Sequence, residues 1–193
     1  MKAVILNGES KSSSLKKFEK IVRNLLKTNN FKVHTISLKK IDIASCRGCF
    51  SCWIRDPGIC FREDGMNTIL KKVIKADLLI ILTPVIFGGY SYHLKKALDR
   101  MIPLISPFFM LVDGEIHHKP RYAHYPSLLG IGILSENDKN KRQIFNNLVR
   151  RNSINLHSPF SDSAVFVQDD NDKTIEMKVA KIINNMRNNY ERK

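Results

Sequence analysis

Five times along this chain the apolar residues pass from a short strand-like run to a helical period. Residues 2–6 (KAVIL) form a short apolar run, after which Leu15, Phe18, Val22, Leu25 and Leu26 recur at helical spacing. Residues 31–36 alternate as a strand does, and Met66, Ile69, Leu70, Val73 and Ile74 follow as a helix. The segment DLLIIL at 77–82 is apolar after its first residue, as a central parallel strand is when both its faces are covered. Leu94, Ala97, Leu98 and Met101 mark the third helix. Residues 127–134, weakened as a strand by Gly130 and Gly132, precede a helix carrying Ile144, Phe145, Leu148 and Val149. Residues 163–167 precede the last helix, with Ile175, Val179, Ile182, Ile183 and Met186 on its apolar stripe. Five strand–helix units in alternation predict an α/β fold, a doubly wound five-stranded parallel sheet with helices on both faces. Right-handed crossovers leave few topologies. The strand order 2-1-3-4-5 is expected, with ligand bound beyond the C-terminal strand ends.

The 193 residues suit a single domain, 1–193, with a full core. Two segments stand outside the alternation, a cysteine loop at 46–60 and an insertion at 103–126. In the insertion Pro103, Pro107, Pro120 and Pro126 break helix, and DG at 113–114 predicts a hairpin turn. Its Leu104, Ile105, Phe108, Phe109, Met110 and Leu111 form an apolar patch of the kind that marks an interface. No apolar run reaches the length of a membrane span, and MKAVILNGES carries too short an apolar run for a signal peptide. A membrane partner is therefore not expected, and the chain is placed in the cytoplasm, where thiols stay reduced. The formal net charge of +14 raises nucleic acid as a partner. There is no basic run with interleaved aromatics, so a solvated basic surface is the preferred reading and no nucleic acid is expected. Such a surface would draw anionic ligands such as nucleotides.

Three loops fall at the expected ligand edge. The first, NGESKSSSL at 7–15, joins a strand to a helix N-terminus, where unpaired backbone N–H groups and the hydroxyls of Ser10, Ser12, Ser13 and Ser14 suit a phosphate. It matches neither GxxxxGK[ST] nor GxGxxG, and a serine-rich helix cap is the competing reading. TPVIFGGYS at 83–91 offers Gly88 and Gly89 for close backbone approach and Phe87 and Tyr90 beside a flat apolar ring. The remaining loop holds every cysteine of the chain, Cys46, Cys49, Cys52 and Cys60, at spacing C-x2-C-x2-C-x7-C. Thiolates so spaced suit an iron–sulfur cluster or a tetrahedral zinc. On spacing alone a cluster ranks first, free thiols second, zinc third and disulfides last. Arg47, Arg55 and Arg62 are expected to offset the negative charge of such a site, and Phe50 and Trp53 to pack the loop. No Ser-His-Asp or zinc-protease pattern is present, and no catalytic side chain is assigned.

Together CRGCFSCW with GIC following, the EDGM entry to the second helix and ADLLIILTPVIFGGYSYHLKKALDR resemble the flavodoxin-like NAD(P)H-dependent FMN reductases, and within them the iron–sulfur flavoproteins. The resemblance implies a flavodoxin-like fold and FMN, with the phosphate held at Ser10, Ser12, Ser13, Ser14 and Leu15. The isoalloxazine would be bordered by Pro84, Val85, Ile86, Phe87 and Gly88. It implies a [4Fe–4S] cluster held by Cys46, Cys49, Cys52 and Cys60, and NAD(P)H as co-substrate. Three departures stand out: GESK replaces the usual GSPR-like loop, Ile86 stands where a Tyr is common, and the last cysteine gap of seven is at the long end for the cluster motif. The expected function is an FMN-binding oxidoreductase passing electrons from reduced nicotinamide to a quinone, flavin, metal or protein. The alternative is an FMN and iron–sulfur electron carrier without its own small-molecule substrate. A third class, a zinc-stapled basic protein on nucleic acid, would be colourless. The expected partners are a small-molecule electron donor and acceptor or a redox protein, and a second copy of the chain in a homodimer or dimer of dimers.

Overall fold

The structure is a computed structural model that describes residues 1–9 and 15–191. Its core is organised by a strand buried on both faces. Strand β3 (Leu78–Pro84) alternates Leu79 and Ile81 toward one helical layer, Leu78, Ile80 and Leu82 toward the other, and all five are essentially inaccessible. Burying each such side chain contributes about 1.5–3 kcal/mol. Around β3 lie β1 (Lys2–Asn7), β2 (Lys32–Ser37), β6 (Ser127–Leu134) and β7 (Ser161–Val167), all parallel, in the order β2-β1-β3-β6-β7. Counted within this sheet alone the order is the expected 2-1-3-4-5. Helices α1 (Leu15–Thr28) and α6 (Asp172–Glu191) cover one face. Helices α3 (Gly65–Ile74), α4 (Tyr92–Asp99) and α5 (Lys139–Asn155) cover the other.

The insertion forms a second, two-stranded antiparallel sheet from β4 (Ile105–Val112) and β5 (Glu115–Pro120). Asp113 and Gly114 turn the chain with φ of 50° and 81°, which is why the DG pair marks this hairpin. A one-turn helix within the cysteine loop, α2 (Ser51–Ile54), is not visible in the apolar periodicity.

The glycines of β6 read in the sequence as a weakness are places of close approach. A Cβ on Gly130 would lie 2.4 Å from a methyl of Val149 on α5, and one on Gly132 would lie 2.7 Å from a methyl of Val85. They let α5 and the turn after β3 press against the sheet. That turn, the β1–α1 loop and the cysteine loop are the elements that carry the candidate site.

Candidate flavin and cysteine site

The loops after β1 and β3 form one hydrogen-bonded unit at the C-terminal edge of the sheet. The Gly8 N–H donates to the Leu82 carbonyl at 2.8 Å, and Ser91 Oγ donates to the Gly8 carbonyl at 2.5 Å. Ser91 is also the N-cap of α4, accepting from the Leu94 N–H, while its own N–H donates to Thr83 Oγ1. Glycine is required at position 8 because a Cβ there would meet Ser91 Oγ at 2.6 Å and Leu94 Cβ at 2.8 Å. Gly8 is thereby held against the end of the loop after β3, at the start of α4.

Of the phosphate residues read from the sequence, Ser10, Ser12, Ser13 and Ser14 lie outside the described residues. Leu15 opens α1 with its side chain fully buried in the core, which leaves it only a backbone N–H to offer a ligand. Glu9 is buried, and its Oε2 accepts from Lys39 Nζ at 2.6 Å. Among the described residues its Oε1 has no partner. This carboxylate sits where GESK departs from the usual loop, and Lys39 balances its charge.

The other flavin loop separates into two roles. Pro84 ends β3 half-buried and Val85 is buried against Gly132, so the side chain of Val85 belongs to the core. Ile86 and Gly89 close a tight turn through reciprocal backbone bonds of 3.0 and 2.8 Å. Between them Phe87 takes a φ of 50° and is 93% exposed, and Gly88 takes a φ of 84°. A bulky residue in left-handed backbone, with its ring in water, is a strained and unsatisfied arrangement. A flat apolar ring laid on Ile86 and Phe87 would cover both. Tyr90 closes the loop, its hydroxyl accepting from Asn152 Nδ2 at 2.8 Å, and burial holds its phenol protonated far above the usual range.

The four cysteines line one cavity of about 30 Å³ together with Arg62 and Arg100. Cys46 and Cys49 are exposed at its mouth, Cys60 is half-buried and Cys52 is buried. Burial pushes the Cys52 thiol up, and the neighbouring Cys60, Cys46 and Cys49 push it further, so the other three lie within electrostatic reach of Cys52. Among the described residues no three of them stand in metal-ligating geometry. The donor set fits a thiolate-held cluster in kind. As expected, Phe50 and Trp53 pack the loop: they stack at 5.2 Å, and Trp53 Nε1 donates to the Ile102 and Ile105 carbonyls, fastening α2 to the base of the hairpin. Of the arginines expected to offset charge, Arg55 points to Asp56 instead.

A residue not singled out in the sequence dominates this site. Arg100, the C-cap of α4, is 2% exposed and paired with Asp64, the N-cap of α3, which is 8% exposed. Its Nη1 donates to Asp64 Oδ2 at 2.7 Å and to the Ala44 carbonyl at 2.6 Å. Its Nη2 donates to Asp64 Oδ1 at 3.1 Å and to Cys60 Sγ at 3.4 Å. Although burial pushes the Asp64 carboxyl up, the Arg100 guanidinium and the N–H groups of Ala44 and Met66 hold it below the usual aspartate value. The available signal was an arginine three residues after Ala97, on the apolar stripe of α4.

The profile of the NADPH-dependent FMN reductase family matches residues 1–123, which contain β1 to β3, both flavin loops and all four cysteines. The chain belongs to this family. This family member is 33% identical over 96 residues to an iron-sulfur flavoprotein of Methanosarcina thermophila, a match covering 48% of the chain and 49% of that relative. The alignment thus spans about half the length of the curated relative. In fold it is similar to an NAD(P)H:quinone oxidoreductase from Methanothermobacter marburgensis, with a TM-score of 0.70 at 11% identity over 94% of this chain and 96% of the other. It is likewise similar to an FMN-dependent NADH-azoreductase of Bacillus anthracis in complex with FMN, with a TM-score of 0.63 at 15% identity over 99% of both chains. At these identities the structural likeness speaks for the fold, and the flavodoxin-like architecture is the one expected from the sequence.

Proposed function

We propose that the chain binds FMN at the C-terminal edge of the sheet and acts as an oxidoreductase taking electrons from NAD(P)H. The observation that carries this is the joining of the β1 and β3 loops through Gly8 and Ser91, in a chain whose family profile covers both. The phosphate would sit at the start of α1 and the ring against Ile86, Phe87 and the Gly88 backbone. When bound, FMN supplies the hydride chemistry, and the protein's part is to hold and orient it. Anaerobic mixing of FMN-loaded protein with NADH or NADPH tests the reading. Bleaching of the flavin band supports it, and an unchanged band with either nucleotide overturns it.

The acceptor is a quinone, a free flavin, a metal or a redox protein. The relative's name, iron-sulfur flavoprotein, and the convergence of Cys46, Cys49, Cys52 and Cys60 on one cavity favour a [4Fe–4S] cluster in the same chain. On that reading the protein relays electrons from flavin to cluster, and the acceptor is a redox protein. Four free thiols in one segment suit a reducing compartment, and cytoplasmic placement is part of the same proposal. No helix among the described residues is long and apolar enough to cross a membrane. A homodimer or dimer of dimers, with the β4–β5 hairpin in the contact, completes the proposal.

A further inference from the structure

The cysteine segment is held at its two ends by one buried ion pair that comes from outside it. At the leading end, two residues before Cys46, Ala44 donates its N–H to Asp64 Oδ2 at 3.0 Å, and its carbonyl accepts from Arg100 Nη1 at 2.6 Å. At the trailing end, Cys60 Sγ accepts from Arg100 Nη2 at 3.4 Å. Asp64 is fixed in turn as the cap of α3, accepting the Met66 N–H at 2.9 Å, and Arg100 is fixed by its place at the end of α4. Asn67, in the first turn of α3, adds a bond to the Arg62 carbonyl at 2.8 Å.

We propose that Arg100, braced by Asp64, is the positioning residue of the cysteine site, clamping both ends of segment 44–60 and aiming a positively charged donor at the Cys60 sulfur. The inference rests on the reading of the four cysteines as an iron–sulfur ligand set. Three features set it apart from an ordinary core ion pair. Its guanidinium lines the cysteine cavity itself. It bonds a sulfur where a carbonyl or carboxylate would have been the stronger acceptor. Among the described residues its Nε is buried without a partner, so the group is placed for the loop contacts rather than for full internal satisfaction. A buried pair is a poor source of net stability but a strong constraint on geometry. Hydrogen bonds and positive charge at cluster sulfurs raise the reduction potential. Arg100 also ties the two candidate centres together. Helix α4, eight residues and about 12 Å long, has its N-cap Ser91 on the flavin side and its C-cap Arg100 on the cysteine side.

The test compares wild type with Arg100→Lys and with the double variant Arg100→Met/Asp64→Asn. The double variant leaves no buried charge unpaired; its amide oxygen keeps an acceptor for the Met66 N–H that caps α3, while the Ala44 N–H loses its side-chain acceptor. Iron per chain after anaerobic reconstitution with iron and sulfide, the midpoint potential of the reconstituted site, and amide hydrogen exchange across residues 43–64 of the iron-free protein are measured. The double variant is expected to retain FMN binding, to hold iron on the order of tenfold to a hundredfold less tightly, and to show a lower midpoint potential. It is also expected to exchange faster at residues 44–46 and 60–62. Arg100→Lys, which keeps the charge, is expected to restore the potential toward wild type. Equal iron retention and potential in all three proteins would overturn the proposal. If wild type takes up no iron, the cluster reading fails on its own account. The exchange data then decide the clamp: faster exchange confined to the two loop ends supports it, and unchanged exchange overturns it.

Discussion

Ser91 Oγ donates to the carbonyl of Gly8 at 2.5 Å across a sequence separation of 83 residues, and by this bond the chain after β1 and the start of α4 share one frame. The same oxygen caps α4. Ser91→Ala removes the bond and the cap together. It is expected to destabilise the chain by about 1–3 kcal/mol and to weaken FMN binding. Thermal unfolding of the flavin-free protein reads the first effect, and FMN titration the second. An unchanged FMN affinity would show that the loops hold their relative position without it.

Gly130→Ala is expected to destabilise by about 1–3 kcal/mol through overpacking, because the new methyl would start 2.4 Å from Val149. Gly130→Ala combined with Val149→Ala should recover part of that loss. Urea unfolding of both variants decides it, and a neutral single variant would mean that α5 can shift outward freely.

The Arg100–Asp64 pair gives stability a pH dependence whose sign is fixed. Asp64 is held below its ordinary value of 3.8, so its contribution is complete above that value and is lost as the pH falls through the lower, folded-state pKa. Iron-free wild type should therefore lose stability on acidification below about pH 4 more steeply than Asp64→Asn does. Asp64→Ala, which leaves Arg100 buried without its partner, is expected to cost about 3–5 kcal/mol at neutral pH. Urea midpoints measured from pH 3 to 7 in both proteins check the sign, and parallel pH profiles would contradict it.

Much of this fold was legible in the sequence because its strands are buried on both faces. LLIIL between an Asp and a Thr-Pro has few places to go in a soluble chain other than the middle of a sheet, and β3 is there. The DG hairpin was readable for an equally local reason, since both residues take positive φ. The candidate site was legible as loops but not as contacts. Sequence placed Val85 beside the flavin, yet its side chain turns into the core, because the direction of one residue after a strand end is set by the helix packed above it. Arg100 and Asp64 were missed because their pairing joins positions 36 apart through tertiary packing. An arginine on an apolar stripe is visible in sequence, but its partner is not. Gly130 and Gly132 read as weak points because the close approach of Val149 and Val85 is likewise a tertiary fact.

The β4–β5 hairpin exposes Phe108, Leu111 and Ile116 at 69%, 71% and 72%. If a second copy covers them, Phe108→Asp combined with Leu111→Asp should shift the sedimenting species from oligomer to monomer at micromolar concentration without lowering the melting temperature of the monomer. A wild-type chain that sediments as a monomer would defeat the dimer proposal.

FMN binding tests the account most directly. Flavin-free protein titrated with FMN, followed by quenching of flavin fluorescence, is expected to saturate at one FMN per chain. Ser12→Ala and Ser14→Ala should each weaken the complex by about 1.5–3 kcal/mol, and Phe87→Ala should weaken it without changing the fold. A chain that leaves flavin fluorescence unchanged throughout the titration, while folded by circular dichroism, would contradict the account.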